Sequence, residues 1–262
     1  MSADRALSDP RLVRGLTRRV EALAARLGRP VTFMEVCGTH THAIARAGLR
    51  RLLPDGVRLI SGPGCPVCVT PVDYLDRAVA LAALPEVTLA TFGDLMRVPS
   101  SETTLERESA RGRDVRVVYS ARNAVRIARE RPDRRVIFLG VGFETTLPTV
   151  AAALEEAERE GIDNFEVLPG AKLIEPPLRA LIDDPDVRVD GFLLPGHVSV
   201  VLGADFYAFL EHELAVPGVI VGFAPADVMS GVVELCEQLA AGRAGVANLY
   251  PRVVRPEGNP VA

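Results

Sequence analysis

One pattern constrains this chain more than any other. From Val31 onward, short valine-rich apolar runs take turns with longer amphipathic stretches. Strands buried on both faces read as short continuous apolar runs, and the stretches between them carry the 3.6-residue period of helices. The pattern predicts strands at Val31–Val36, Val57–Ile60, Val87–Thr91, Val115–Tyr119, Arg135–Leu139, Phe165–Leu168, Gly191–Leu194 and Gly218–Val221. Helices are expected near Thr41–Ala47, Val72–Leu84, Glu102–Arg111, Ala121–Glu130, Leu147–Glu160, Pro177–Ile182, Ala204–Leu214 and Ala226–Ala241. An opening helix, Asp9–Leu27, closes on Gly28 and Pro30, a strong stop signal. The expected class is therefore α/β, with parallel sheets fed by βα units. The units divide as four and four: a first domain over residues 1–133 with the cysteine motifs, a second over 134–247, and a loop-like tail over 248–262. A single closed barrel is the competing architecture, and the unequal loops argue against it.

The 262 residues give room for one large or two ordinary domains. A net charge of −4 gives no reason to expect nucleic acid or an acidic membrane as partner. Lys172 is the only lysine, and the arginine-rich stretch Arg126–Arg135 is interrupted by Glu130 and Asp133, as on a solvated helix face. The most apolar stretch, Ala78–Phe92, is broken by Pro85 and Glu86, so no membrane span is expected. Residues 1–19 are polar and charged and lack the apolar core of a signal peptide. These features point to the cytoplasm, where clustered cysteines serve metals or redox chemistry rather than disulfide scaffolds.

The unusual chemistry falls where strands end, which is where open α/β sheets bind ligands. The first such end reads Glu35-Val36-Cys37-Gly38-Thr39-His40-Thr41-His42. A cysteine leaving a strand and entering a helix sits in the positive field of the helix N-terminus, which primes a sulfur for metal or nucleophilic work. His40 is close enough in sequence to assist it or to share a metal. The second end, Ser61-Gly62-Pro63-Gly64-Cys65-Pro66-Val67-Cys68-Val69-Thr70-Pro71, joins a glycine-rich turn to a CxxC pair. Gly62 and Gly64 would let backbone approach a small ligand, with Gly38 and Thr39 facing the same end. Thr70 and Pro71 read as N-cap and first residue of the next helix. A closed zinc site needs four ligands and there is no second CxxC, so redox or transient metal chemistry fits better. Cys236 falls mid-helix and reads as core.

Two further ends complete the set. Gly140-Val141-Gly142-Phe143-Glu144-Thr145-Thr146 offers a carboxylate with hydroxyls, able to position a bound ligand or shuttle protons. It also resembles part of a dinucleotide fingerprint, but the third glycine is missing and no acid ends the next strand. Leu194-Pro195-Gly196-His197-Val198-Ser199 places a histidine at a helix start, as a proton carrier, ligand or cap. His212 lies away from all these ends and reads as surface.

In this order, the stretches Phe33–His42, Gly62–Pro71, Gly142–Thr146 and Pro195–Ser199 resemble the signatures of the hydrogenase formation protein family HypD. Phe92–Pro99, Asp114–Ser120 and Glu257–Asn259 support the likeness, which runs from about Val31 to the last residue. The resemblance implies two similar Rossmann-like parallel-sheet α/β domains with a cleft between them, plus the N-terminal helix. It implies a scaffold rather than a turnover enzyme, one that builds the Fe(CN)2CO centre of nickel–iron hydrogenases. On that pattern Cys37 is the iron ligand, shared with a small HypC-like chaperone. A HypE-like protein supplies cyanide, and carbon monoxide completes the iron. Cys65 and Cys68 are the redox dithiol, while His40, Glu144, Thr145 and His197 line the site.

Members of the family also carry further cysteines for a 4Fe–4S cluster beyond the point where this sequence stops, and those cysteines are absent here. Ala171 stands where the family pattern often has histidine. Two other readings stay open from the residues alone: a thiol–disulfide oxidoreductase using Cys65-Pro66-Val67-Cys68, and a nucleotide-dependent enzyme built on Gly140–Thr146.

Overall fold

The computed structural model describes residues 6–262; residues 1–5, where the polar N-terminal stretch begins, lie outside the described residues. All eight predicted strands are present as β1 (Val31–Glu35), β2 (Val57–Ser61), β3 (Val87–Thr91), β4 (Val115–Val117), β5 (Arg135–Gly142), β6 (Phe165–Ala171), β7 (Gly191–Pro195) and β8 (Gly218–Val221). A further short strand, β9 (Val246–Asn248), falls at the edge of the stretch read as a loop-like tail. Every pairing is parallel, in two sheets of order β2-β1-β7-β8-β9 and β4-β3-β5-β6. The fold is thus two Rossmann-like α/β units with an N-terminal helix.

The division into sequential halves at 133/134 does not hold. The chain leaves the first sheet after β2, builds the whole second sheet from β3 to β6, and returns to the first with β7. The second unit is accordingly Pro66–Leu173, and the first joins the described residues up to Cys65 to Ile174–Ala262. Nothing local in a strand says which sheet it will join. Here β7 pairs with β1, with Leu193 opposite Glu35.

The first unit is built on alternation. Val31, Phe33, Val57, Leu59, Leu193, Val219 and Val221 share one core with the helices Pro10–Leu27 and Pro225–Ala240. Burying a side chain such as Phe33, which is 0% exposed, contributes about 1.5–3 kcal/mol. Helix Pro10–Leu27 starts because the Asp9 carboxylate accepts from the Arg11 N–H and Pro10 occupies the first turn. It stops because Gly28 takes φ +64° and returns its N–H to the Ala24 carbonyl. Its buried residues, Val13, Val20 and Leu23, lie on one face. The segment after β9 forms no long element, yet it is tied down. Val254 is buried, Ala204 donates to the Arg255 carbonyl and Asn259 donates to that of Val201.

The second unit packs its sheet between two cores, one holding Phe138, Val136 and Ala124 and the other Leu89, Ile137 and Leu139. Strands β5 and β6 run three residues longer than predicted and stay paired to Gly142 opposite Ala171. The glycines just beyond the predicted strand ends are packing positions within the strands. A Cβ on Gly140 would lie 2.9 Å from Val167, and one on Gly170 2.6 Å from Val141. Gly140 and Gly142 are therefore strand residues and form no phosphate-cradling turn. The Thr146 side chain fills the space over Gly142, where an added Cβ would meet it at 2.4 Å. The dinucleotide reading loses its basis there.

Among the described residues, no helix is long and apolar enough to cross a membrane.

Candidate functional site

In the first sheet β1 lies between β2, reached by the preceding crossover, and β7, reached only after the second unit. The strand order reverses there. Such a reversal opens a crevice beyond the carboxyl ends of the strands and is the usual ligand position in open α/β folds. Cys37 follows β1, His197 follows β7, and Gly64 and Cys65 follow β2.

Cys37 is the N-cap of helix Gly38–Arg46, with φ −148° and ψ 122°, and is 8% exposed. The helix begins three residues earlier than the sequence pattern predicts. The turn is held from below by Glu35, whose carboxylate is fully buried. One carboxylate oxygen accepts the Cys37 N–H at 3.3 Å, and the other accepts the Thr41 hydroxyl at 2.6 Å with Arg50 at 3.7 Å. A buried carboxylate is tolerated only when its oxygens are satisfied in this way. Thr41→Val is therefore expected to lower the unfolding free energy by about 1.5–3 kcal/mol, the range for a hydrogen bond to a charged group. Urea denaturation measures it.

The glycine-rich turn packs directly on this cysteine. The Gly38 N–H donates to the Gly64 carbonyl at 2.9 Å, and the Gly62 N–H donates to the Glu35 carbonyl at 2.8 Å. A Cβ on Gly64 would sit 2.4 Å from the Cys37 nitrogen, and one on Gly62 would sit 2.5 Å from the Met34 sulfur. The missing Cβ of each glycine thus points at protein, which lets the turn lie close against Met34 and the Cys37 backbone. Cys65 is half-buried, and its Cβ is 3.8 Å from where a Cβ on Gly38 would stand. Thr39 is exposed.

His40 is no helix cap. It is 0% exposed, and its Nε2 lies 3.0 Å from the Gly222 carbonyl. A carbonyl only accepts, so Nε2 carries the proton. Burial pushes the imidazole pKa down to about 4, so the ring is neutral and Nδ1 is a bare lone pair with no hydrogen-bond partner. The His40 ring lies 4.6 Å from that of Phe223, and the His197 ring lies 4.1 Å from it, tilted by 32° and 31°. His197 is exposed, and partial burial lowers its pKa as well.

Behind Phe223 stands a set of residues that no sequence motif marks. Asp227 is buried; its carboxylate accepts from Arg252 at 2.7 Å and from the Ala224 N–H at 3.3 Å. Arg252 covers the Tyr250 ring at 4.4 Å, and Tyr250 meets Phe223 edge-on at 6.3 Å. The absence of a Cβ on Gly222 leaves room for the Asp227 carboxylate and the Arg252 guanidinium, which an added Cβ would press upon. Applied to the end of β8, the strand-end rule would have flagged Gly222 and Phe223. Asp227, Tyr250 and Arg252 carry no local signature.

Cys68, Glu144 and Thr145 belong to the second unit. Cys68 is exposed and lies in a turn ahead of helix Val72–Ala82. That helix is capped by Pro71 rather than Thr70, whose hydroxyl donates back to the Pro66 carbonyl at 2.8 Å. Glu144 is 7% exposed, Thr145 is exposed, and the Lys172 N–H donates to the Gly142 carbonyl at 2.8 Å. Cys236 is core as expected, with burial raising its thiol pKa to about 12. His212 is exposed. Among the described residues, no group of three or more His, Cys, Asp or Glu side chains is arranged to hold a metal ion by itself.

Fold and site define a parallel-sheet α/β protein whose first sheet carries, at its strand-order reversal, a thiol and two imidazoles that pack on Phe223. The sequence matches the HypD family, described as the Hydrogenase formation hypA family, over residues 11–262. It is 45% identical over 258 residues to the hydrogenase maturation factor HypD of Rhodobacter capsulatus, covering 97% of this chain and 68% of that protein. To the hydrogenase maturation factor HypD of Escherichia coli K12 it is 46% identical over 251 residues, covering 96% and 67%. A hydrogenase expression/formation protein HupD of Azotobacter chroococcum is 43% identical over 257 residues, covering 96% and 68%. The chain belongs to the HypD family.

Proposed function

We propose that this chain is a scaffold in the maturation of nickel–iron hydrogenases. It holds the iron of the Fe(CN)2CO centre through Cys37, together with a HypC-like chaperone, and receives cyanide by way of a HypE-like protein. The observation that carries this reading is the position of Cys37: a thiol at the strand-order reversal, on a turn fixed by Glu35 and Gly64. A thiolate is a soft ligand that suits iron, and an open coordination sphere leaves room for diatomic ligands. Among the described residues no group of three or more His, Cys, Asp or Glu side chains is gathered to hold a metal, so in this reading a bound iron also takes ligands from the partner and from small molecules. Iron is cargo in this reading, not a resident cofactor.

Cys65 and Cys68 supply the redox chemistry. A dithiol passing to a disulfide releases two electrons and two protons. Glu144 and Thr145 are assigned to the same chemistry by their matching motif. A thiol–disulfide oxidoreductase is the second reading, favoured by the exposure of Cys68. Turnover of a model disulfide that disappears in Cys68→Ser would support it.

The scaffold reading is tested by co-expression with a HypC-like protein. The expected result is a complex that survives affinity purification and size exclusion, with iron bound. Two proteins that elute apart, at concentrations where relatives' partners stay together, would contradict it.

A further inference from the structure

Phe223 has a place in the first unit that neither its sequence nor the family likeness assigns. Its ring centroid is 4.6 Å from that of His40 and 4.1 Å from that of His197, both tilted by about 30°. Rings lying side by side in one plane cannot approach so closely, so both imidazoles are stacked. Among the described residues each imidazole packs on Phe223 and no ring contact joins the two directly, which places the Phe223 ring between them. One of them is closed off from water and the other is open to it.

We infer that Phe223 is a positioning residue: its ring separates the two imidazoles, shields His40 from water, and holds His40 with Nε2 on the Gly222 carbonyl and Nδ1 bare. The inference rests on the reading of this strand-end edge as the working site. Its consequence is a division of labour between two like side chains. His40 stays a neutral acceptor or ligand three residues from Cys37, while His197, on the open face, is the imidazole that exchanges protons with solvent.

The backbone behind the ring is built to keep it there. Gly222, Phe223 and Ala224 form the turn between β8 and helix Pro225–Ala240. The Asp227 carboxylate binds the Ala224 N–H and is itself held by Arg252. Arg252 lies over Tyr250, and Tyr250 closes the edge of the Phe223 ring. Tyr250 also lies against Gly196, where an added Cβ would meet its ring at 3.1 Å, so the same aromatic ring braces the His197 helix. The charged and titratable groups bearing on His40 are His197, which lowers its affinity for a proton, and Asp227, which raises it. The Gly222 and Val221 carbonyls also favour the protonated ring, and burial outweighs all of these.

The test is nuclear magnetic resonance titration of the histidine ring protons in the isolated protein, for wild type, Phe223→Tyr and Phe223→Leu. Tyrosine keeps the two aromatic faces; leucine keeps apolar bulk without them. The expected result is that wild type and Phe223→Tyr titrate His40 near pH 4 and show the ring-current displacement of both imidazoles. Phe223→Leu should lose that displacement at both histidines, and its His40 should titrate closer to the ordinary 6.5. A leucine variant with unchanged displacement and unchanged His40 titration would overturn the inference, since bulk alone would then suffice. A leucine variant that unfolds while the tyrosine variant does not would overturn it too, because the ring would then serve the fold and not the histidines. This readout needs no partner and no iron. If the ring-proton result holds but iron retention in the chaperone complex is the same in Phe223→Leu as in wild type, the positioning stands and the functional reading of this edge fails.

Discussion

Cys37→Ala is expected to bring the iron carried by the chaperone complex down to background while leaving the fold of the chain in place. The two effects separate because of how Cys37 is built in. As N-cap of helix Gly38–Arg46 it makes no side-chain capping bond, so the helix start does not depend on its sulfur. The Glu35 and Gly64 contacts go to its backbone, which alanine preserves. Removing one buried sulfur costs about 1 kcal/mol or less. Iron per chain in the purified complex, read beside a thermal melt of the isolated protein, gives both numbers from one pair of samples. Cys65→Ser and Cys68→Ser should retain iron, since the reading gives those two residues electrons to carry rather than metal.

Gly64→Ala should have the largest structural effect of any single methyl added to the cysteine loops. The new Cβ would lie 2.4 Å from the Cys37 nitrogen, 2.6 Å from its Cα and 2.7 Å from the Val36 carbonyl carbon. All three are backbone atoms and cannot swing aside as the end of a flexible side chain can. The strand-end turn must part from the Cys37 turn, and the bond from the Gly38 N–H to the Gly64 carbonyl is strained with it. Overpacking of this kind costs about 1–3 kcal/mol. Urea denaturation should show that loss, and the displaced Cys37 should react faster with a thiol reagent than in wild type. Unchanged stability together with an unchanged reaction rate would mean that the two turns are not locked together.

Much of this molecule is written locally. Val31–Glu35 and Val57–Ser61 show themselves as strands because they lie in short, mainly apolar runs, and Leu27-Gly28 shows a helix end because only glycine sits easily at φ +64°. Strand β9 was not legible and helix Gly196–Leu202 was legible only in its start at His197, both being too short for a period to develop. The division into units was not legible either, because the pairing of β7 with β1 joins residues more than 150 positions apart, such as Phe33 and Gly191. The strand extensions through Gly140, Gly142 and Gly170 were hidden for a different reason: glycine marks a turn in one setting and a close approach in another, and only the neighbours Val167, Thr146 and Val141 decide which.

The site divides in the same way. Cys37, His40 and His197 stood out because reactive residue types at strand ends are rare and the strand ends could be predicted. Their supports could not be. Glu35 reads as an ordinary strand residue until its carboxylate is found fully buried, bonded to the Cys37 N–H and the Thr41 hydroxyl. Asp227 reads as a first-turn helix acid until Arg252, 25 positions later, is found on it. The candidate residues were visible from chemistry, while the residues that hold them depend on contacts made across the fold.

If Cys37 holds the iron that becomes the Fe(CN)2CO centre, the diatomic ligands are lost with its thiolate. Infrared spectroscopy of the chaperone complex, isolated from cells that also express the cyanide-donating partner, tests it most directly. Wild type should show the stretching bands of iron-bound cyanide and carbon monoxide, and Cys37→Ser should show none while still binding the chaperone. The same bands at undiminished intensity in Cys37→Ser would mean that Cys37 does not hold the iron.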